Sequence, residues 1–308
     1  MSELPKRMFG KTGFASTIVG YGAMELRGSG PYAPQLSEVE TEKLINQVLD
    51  AGINFIDTSI CYGRSEELIG KYLSLRRSEY FLASKCGCVA GAIGMHEHVH
   101  TADNIRRGVE NSLRLLKTDH LDLLQFHRSL TKSEYEQEGA LQEALKIKAE
   151  GKTRFLGVSA ILPNMTEHMT MGCFDAFQVP YSALQRDHEA VIHKASAAGA
   201  GIIIRGGAAR GTPEDWNKRW YYMIDKDTLQ HRWDQAGLDD LLNGMSRIEF
   251  TIRFTLSNPD LDTTIIGTAN PQHLRDNIAY ACKGPLADEI VAEAKQRLAA
   301  AGSVPLAV

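Results

Sequence analysis

Residues 54–70 read NFIDTSICYGRSEELIG, and they decide the fold because a strand, a turn and the start of a helix follow one another there. The run begins with apolar residues that are typical of a buried strand. Small and turn-prone residues follow and set Asp57 and Tyr62 five positions apart, before SEELIGKYL takes the spacing of an amphipathic helix. We interpret this stretch as one strand-turn-helix unit that carries an acid and a phenol in its turn.

The same unit recurs along the whole chain. We count eight apolar, β-rich runs, each followed by a helical stretch: STIVGYG, NFIDTS, EYFLASK, LDLLQFH, TRFLGVS, AFQVPY, GIIIRGG and TTIIGT. Strands that are apolar throughout are buried on both faces, as in a parallel sheet covered by helices. Eight such units in 308 residues predict an α/β protein built as a (β/α)8 TIM barrel.

The alternative architecture is an open, doubly wound sheet. Such sheets usually have a glycine-rich phosphate-binding turn after the first strand. Here that turn reads GYGAMELRGSG, and its Gly20, Gly22 and Gly28 do not match the dinucleotide-binding pattern. The segment after it is too irregular to open a helix at once, so we favour the barrel.

Composition narrows the class of protein and its partners. With 43% hydrophobic residues and no composition break or proline-rich linker, residues 1–308 are expected to form a single domain. The net charge of −4, from 34 basic and 38 acidic residues, argues against nucleic acid or an anionic membrane as a partner. No apolar run approaches the ~20 residues that span a bilayer.

Cysteine usage predicts a reducing compartment. The five cysteines have neither the spacing of a zinc module nor that of a disulfide scaffold, which fits the cytoplasm: Cys61, Cys86, Cys88, Cys173 and Cys282.

Some segments lie outside the repeating units. GKTG near the N-terminus favours a tight reversal, so we expect a hairpin that plugs one end of the barrel. The loops at 86–101 and 207–236 exceed the usual connection length, and long ordered loops often bind ligands. A last helix, about 287–301, follows the eighth unit.

Polar residues at the strand ends give the functional signal, because chemistry in such barrels lies at the C-terminal ends of the strands. The predicted strands two to eight carry these side chains at or near their ends: Asp57, Lys85, His127, Ser159, Gln178, Arg205 and Thr268. A barrel without a site would not need an acid, an amine and an imidazole at three successive strand ends. We expect them to converge at one mouth.

These residue types suit the reduction of a carbonyl. Lys85 beside Asp57 stays charged, and a cation next to a phenol favours phenolate, so Tyr62 becomes a usable proton donor. The imidazole of His127 can orient a carbonyl oxygen and share its negative charge. Hydride must come from a nicotinamide, since no side chain donates one.

The chain resembles the aldo-keto reductases over essentially its whole length. AGINFIDTSICYGRSEELIGKYL is similar to the family's strand-two signature, LASK to its strand-three lysine and TDHLDLLQFH to its strand-four histidine. The resemblance implies a catalytic tetrad of Asp57, Tyr62, Lys85 and His127. Tyr62 would be the proton donor, and Asp57 would fix Lys85.

The resemblance also implies a nicotinamide cofactor, bound extended across the barrel mouth without a Rossmann domain. NADP(H) is favoured, with NAD(H) as the alternative. The positions similar to the family's cofactor contacts are Gly22, Ala23, Met24, Asp57, Ser159, Gln178, Arg205, Gly206, Ala208, Arg210, Gly267, Thr268, His273, Asp276 and Asn277.

Several positions depart from the family's pattern. Ala160 follows Ser159 where the family commonly has asparagine, and Arg205 stands where an aromatic residue usually stacks on the nicotinamide. A planar guanidinium can also stack, with added positive charge. Ala269 and His273 occupy positions where NADP-preferring members often have arginine, which leaves the cofactor preference open.

Some other side chains suggest sites that we weigh against simpler roles. HEHVH puts His96, His98 and His100 on one side of an extended strand, but a loop with exposed histidines is commoner than a metal site, so we predict no metal. Cys86 and Cys88 flank Lys85, and packing is favoured over redox control.

The loop after the seventh strand is rich in aromatic residues, which either wall a substrate pocket or pack a small core: Trp216, Trp220, Tyr221, Tyr222 and Trp233. Arg64, Arg128 and Arg205 are all expected near the mouth. An anionic substrate is expected if two of them face the pocket, whereas contact with cofactor pyrophosphate or solvent is the simpler role.

Two functions remain in view. The first is an oxidoreductase acting on the carbonyl of a small polar aldehyde, ketone or sugar, or on the corresponding alcohol. The second is a cofactor-binding regulatory subunit that resembles the β-subunits of potassium channels, which share this fold. Such subunits can retain the tetrad, so turnover has to be measured to separate the two.

Overall fold

The computed structural model describes residues 3–28, 36–89, 97–211, 213 and 226–308. The strands of this part of the chain are β1 (Lys6–Met8), β2 (Ala15–Thr17), β3 (Val19–Gly22), β4 (Phe55–Asp57), β5 (Phe81–Cys86), β6 (Leu121–Phe126), β7 (Thr153–Ser159), β8 (Ala176–Pro180), β9 (Gly201–Arg205) and β10 (Thr263–Ile266). Its α-helices are α1 (Glu38–Asp50), α2 (Ser65–Tyr72), α3 (Ala102–Leu116), α4 (Lys132–Gln137), α5 (Ala140–Ala149), α6 (Asn164–Thr170), α7 (Glu189–Ala197), α8 (Lys226–Gln235), α9 (Arg247–Leu256), α10 (Pro271–Cys282) and α11 (Asp288–Ala300).

Strands β3 to β10 form a closed parallel barrel in chain order, with β10 hydrogen-bonded to β3. Every residue of β4, β5, β6 and β8 is buried, as a strand covered on both faces requires. The eight strands and the TIM barrel predicted from the sequence are thus confirmed. That residues 1–308 form one domain stays a prediction.

The antiparallel hairpin β1–β2 precedes the barrel, as expected from GKTG. Phe9, in its turn, places its ring 5.4 Å from those of Phe55 and Phe81, which begin β4 and β5. Gly201 begins β9 without a side chain, and a Cβ there would lie 2.7 Å from the Phe9 ring. The hairpin turn therefore closes the N-terminal end of the barrel and leaves the C-terminal end to the site.

Several helices start at capping residues that are visible in the sequence. Ser37 and Glu40 form a capping box at the start of α1, and Thr101 accepts a hydrogen bond from the Asn104 amide at the start of α3. The final helix α11 confirms the extra C-terminal helix. No helix in the described ranges is long and apolar enough to cross a membrane.

Two details differ from the sequence prediction. The apolar spacing of residues 238–254 predicts one helix, but the structure has a 3-10 turn at Leu238–Leu241 followed by α9, because Asn243 and Gly244 take left-handed φ angles of 46° and 82° and interrupt the helix. The loop 207–236 contains α8, while its residues 212 and 214–225 lie outside the described part.

Candidate active site

The C-terminal ends of three neighbouring strands bring the predicted tetrad together. Asp57 is the last residue of β4, Lys85 is the penultimate residue of β5, and His127 directly follows β6. Tyr62 lies in the turn between β4 and α2. Because parallel strands end at the same edge, these side chains share one mouth of the barrel, as the sequence predicts.

Asp57 and Lys85 form a buried ion pair. The Lys85 Nζ donates to Asp57 Oδ2 over 2.5 Å and to the Thr58 carbonyl oxygen over 2.9 Å. Asp57 Oδ1 accepts hydrogen bonds from the carboxamides of Gln125, at 2.9 Å, and Gln178, at 2.8 Å. Each charge therefore has partners that offset the cost of taking it out of water.

Gln125 is a site residue that the sequence interpretation missed. It lies inside β6, two positions before His127, and is fully buried. The signal was present, because a carboxamide follows the apolar pair Leu123 and Leu124 inside the predicted strand, and a buried carboxamide needs a hydrogen-bond partner.

Tyr62 lies between the lysine and the histidine. Lys85 Nζ is 4.9 Å from the centre of the Tyr62 ring. The Tyr62 and His127 rings meet edge to face, with their centres 5.7 Å apart. Tyr62 is 9% exposed, so the phenol and the cation lie together with little access to water, whereas the imidazole of His127 is partly exposed.

The Nδ1 atom of His127 lies beside two thiols. Its Nδ1 lies 3.0 Å from Cys88 Sγ, 3.3 Å from Cys61 Sγ and 3.3 Å from Ser59 Oγ. The Cys88 thiol donates to Cys61 Sγ over 3.1 Å, and this hydrogen bond lowers the pKa of Cys61 while it raises that of Cys88. Spacing along the chain does not predict this cluster, because its members are far apart in the sequence.

The predicted cofactor positions fill the opposite side of the mouth. Around the barrel, β7, β8, β9, β10 and β3 are consecutive neighbours. These strands and the turns after them carry Ser159, Gln178, Arg205, Gly206, Ala208, Arg210, Gly267, Thr268, Gly22, Ala23 and Met24. The first half of α10 carries His273, Asp276 and Asn277. The side chain of Arg210 lies outside the described part.

The backbone on this side suits close approach of a long ligand. Gly206 and Gly267 are exposed, and Gly206 has a left-handed φ of 73° with open space where a side chain would lie. A Cβ at Gly267 would lie 2.8 Å from the Gly22 carbonyl oxygen. The next helix, α10, starts with Pro271 at its first turn, and the Asn270 side chain caps it by accepting a hydrogen bond from the Gln272 amide.

Arg64 and the aromatic residues of the loop after the seventh predicted strand were also candidates for the mouth of the barrel. Arg64 is bound to Glu67 at 2.8 Å and Glu38 at 3.3 Å on the surface. Trp233 is fully buried, donates to Asp239 and packs in the main hydrophobic core. The other aromatic residues of that loop lie outside the described residues.

The described part of the histidine-rich segment lies beside His127. His98 and His100 stack with their ring centres 6.1 Å apart, and the His98 ring lies 5.5 Å from that of His127. His96 lies outside the described residues.

Comparison with known proteins identifies the family. The model described as the aldo/keto reductase family matches residues 18–298. An uncharacterised oxidoreductase of Bacillus subtilis is 25% identical over 92% of this chain and 93% of its own. L-galactose dehydrogenase of Arabidopsis thaliana is 26% identical over 91% of this chain and 88% of its own. The holo form of an aldo-keto reductase from Bacillus halodurans has a TM-score of 0.80 at 25% identity, covering 96% of both chains. This chain belongs to the aldo/keto reductase family.

Proposed function

We propose that this protein reduces the carbonyl of a small polar aldehyde, ketone or sugar at the expense of NADP(H) or NAD(H), and that Tyr62 is the general acid. The observation that carries the proposal is the buried contact chain in which Asp57 fixes Lys85 and Lys85 lies 4.9 Å from the Tyr62 ring. The same residues serve the reverse oxidation of an alcohol, since each step is reversible.

The roles of the four side chains follow from their contacts. Lys85, held by Asp57 and the Thr58 carbonyl, directs its positive charge towards Tyr62 and favours loss of the phenolic proton. Tyr62 Oη donates that proton to the carbonyl oxygen. The imidazole of His127, edge-on to the Tyr62 ring, orients the same oxygen and stabilises its developing charge.

The cofactor would lie along the side formed by β7 to β10 and β3. A nicotinamide cofactor, when bound, supplies the hydride. Ser159 and Gln178 would bind the nicotinamide end, the exposed backbone of Gly206 and Gly267 would lie against the pyrophosphate, and α10 would receive the adenosine end. We favour NADP(H), with His273 near the 2'-phosphate, and NAD(H) as the alternative.

A sugar or another small polar carbonyl is the substrate class that we favour. One relative, 26% identical over most of the chain, is named as a dehydrogenase of L-galactose. We place the reaction in the cytoplasm, where free cysteines are common.

A steady-state assay tests the proposal. Purified protein is mixed with NADPH or NADH and a panel of matched carbonyl compounds, namely aldose sugars, short polar aldehydes and large apolar ketones. We expect cofactor oxidation that depends on the carbonyl and is fastest for the polar compounds. Tight cofactor binding without turnover of any compound would contradict the proposal and favour a regulatory subunit that only binds the cofactor.

A further inference from the structure

The thiol cluster beside His127 has the make-up of a metal site. Cys61 Sγ, Cys88 Sγ and His127 Nδ1 all lie within 4.8 Å of one another, and they come from the turn after β4, the segment after β5 and the end of β6. We propose that these three side chains bind one Zn²⁺ ion at the edge of the active site. Two thiolates and an imidazole are ligands that zinc prefers.

The donor atoms are close to the positions that the ion requires. Their separations are 3.1 Å between the two sulfurs and 3.0 and 3.3 Å from the sulfurs to Nδ1. Tetrahedral zinc with Zn–S bonds of about 2.3 Å needs sulfurs about 3.7 Å apart, so each donor moves outwards by roughly half an ångström or less. Side-chain rotation alone supplies such a shift.

A fourth position remains beside the three donors. Ser59 Oγ lies 3.2 Å from Cys61 Sγ and 3.3 Å from His127 Nδ1. Among the described residues, no fourth histidine, cysteine or carboxylate joins the group. Zinc sites with three protein ligands complete their coordination with water or another oxygen ligand, and the Ser59 hydroxyl is placed to bind or orient it.

Charge balance favours the ion in this buried place. Cys61 is 3% exposed and Cys88 1%, so an uncompensated charge would be costly there. Binding releases both thiol protons, and the two thiolates then neutralise the charge of Zn²⁺ without any change of oxidation state. The ring of His127 is partly exposed, which leaves a path by which the ion can enter.

The protein holds Cys88 towards the cluster. Gly87 has a left-handed φ of 92°, so the chain turns after Cys86 and the next side chain reaches the mouth. The Cys88 carbonyl accepts from the carboxamide of Asn104 on α3, and the residue pairs with His98 in an isolated bridge. Preorganised ligands lose less freedom when they bind, which supports affinity.

Zinc would also fix the proton of the histidine. A metal on Nδ1 leaves the ring proton on Nε2, so His127 would be held as a donor towards a carbonyl oxygen. This consequence rests on the proposed function, whereas binding of the ion does not. Metal content is therefore the primary readout, because it is informative whether or not the protein turns over a carbonyl.

The experiment measures metal bound to the reduced protein. The full chain is stripped with a chelator in the presence of a phosphine reductant, incubated with Zn²⁺, passed through a desalting column and analysed for metal. We expect about one zinc ion per chain and, with Co²⁺ instead, the near-ultraviolet charge-transfer absorption of a cobalt thiolate. A fully reduced protein that retains no zinc would overturn the proposal.

Variants locate the ion. Cys61→Ser and Cys88→Ser keep the size of the side chain and should each weaken zinc affinity by more than about 100-fold, beyond the loss typical of supporting residues. Cys173→Ser, outside the cluster, is the matched control and should bind like the wild type. Circular dichroism checks that each variant is folded.

If a serine variant fails to fold, His127→Gln in the reduced protein provides the second test, with loss of the metal expected. Unchanged zinc affinity in the folded cluster variants would overturn the assignment. A Cys61–Cys88 disulfide that persists after reduction, with no metal retained, would overturn it as well.

Discussion

Lys85 Nζ and Asp57 Oδ2 lie 2.5 Å apart, and both side chains are 1% exposed. Asp57 has its second oxygen occupied by two carboxamides, so the aspartate is fixed in place and its position determines that of the lysine. The lysine in turn lies with its Nζ 4.9 Å from the centre of the Tyr62 ring. The position of Lys85 beside Tyr62 thus depends on its buried ion pair with Asp57.

Asp57→Asn should destabilise the fold by about 3 kcal/mol, because removal of one partner leaves a buried charge uncompensated. Urea unfolding at neutral pH measures the change. Glu38→Gln is the control, since Glu38 forms only surface ion pairs with Lys71 and Arg64 and should leave stability nearly unchanged. Equal midpoints for the wild type and Asp57→Asn would contradict the role given to the pair.

Glu66 should make stability fall as the pH rises from about 4.5 to about 7. Burial raises the pKa of this carboxyl to about 7 in the fold, against the hydrogen bonds from Ser84 and Ser112. Between the unfolded and folded pKa values the native state binds the additional proton, so deprotonation costs stability, by roughly 3 kcal/mol over the window. Glu66→Gln should remove this slope. A variant with the same pH dependence as the wild type would show that Glu66 is not its source.

His273→Arg should raise the preference for NADPH over NADH. An arginine at this exposed position of α10 adds a charge-assisted hydrogen bond to a 2'-phosphate, worth about 1.5 to 3 kcal/mol, or roughly 10- to 150-fold in kcat/KM. The ratio of kcat/KM for the two cofactors is the measurement, with Gln272→Arg on the neighbouring position as the control. An unchanged ratio would place the adenosine end of the cofactor elsewhere.

The Arg205→Met variant shows whether the Arg205 guanidinium contacts the substrate or the cofactor. If its guanidinium binds substrate, Arg205→Met should cost an anionic aldehyde about 1 to 3 kcal/mol more transition-state stabilisation than a matched neutral one. If it stacks on the cofactor, which we favour slightly, both aldehydes should lose equally and the cofactor should bind more weakly. The paired kcat/KM values, with cofactor affinity, decide between these roles.

Much of the fold could be predicted from the sequence, because the barrel strands are short runs rich in apolar residues, and several carry a polar residue at or just after their C-terminal end. The runs NFIDTS and EYFLASK correspond to β4 and β5, and Asp57 and Lys85 are the last charged residues of these two strands. The interruption between Leu238–Leu241 and α9 was harder to predict, since Asn243 and Gly244 lie within a stretch whose apolar spacing suits one helix.

The thiol cluster was beyond the sequence for a different reason. Cys61, Cys88 and His127 come from three successive units, and their proximity depends on how far each strand extends and on the turn at Gly87. Spacing rules describe metal ligands within one local module and do not detect donors that barrel closure brings together. Gln125 was missed because it lies inside β6, and His127, directly after that strand, already supplied the expected polar side chain.

The rate of the chemical step in Tyr62→Phe tests the central claim most directly. The variant keeps the ring and removes only the hydroxyl, and Tyr72→Phe, at the end of α2, provides the matched control. With saturating cofactor and the best carbonyl substrate, kcat should fall by about 100-fold or more in Tyr62→Phe and stay unchanged in Tyr72→Phe, while cofactor affinity is the same in both. Wild-type turnover in Tyr62→Phe would contradict the account, because a proton donor other than Tyr62 would then serve the carbonyl oxygen.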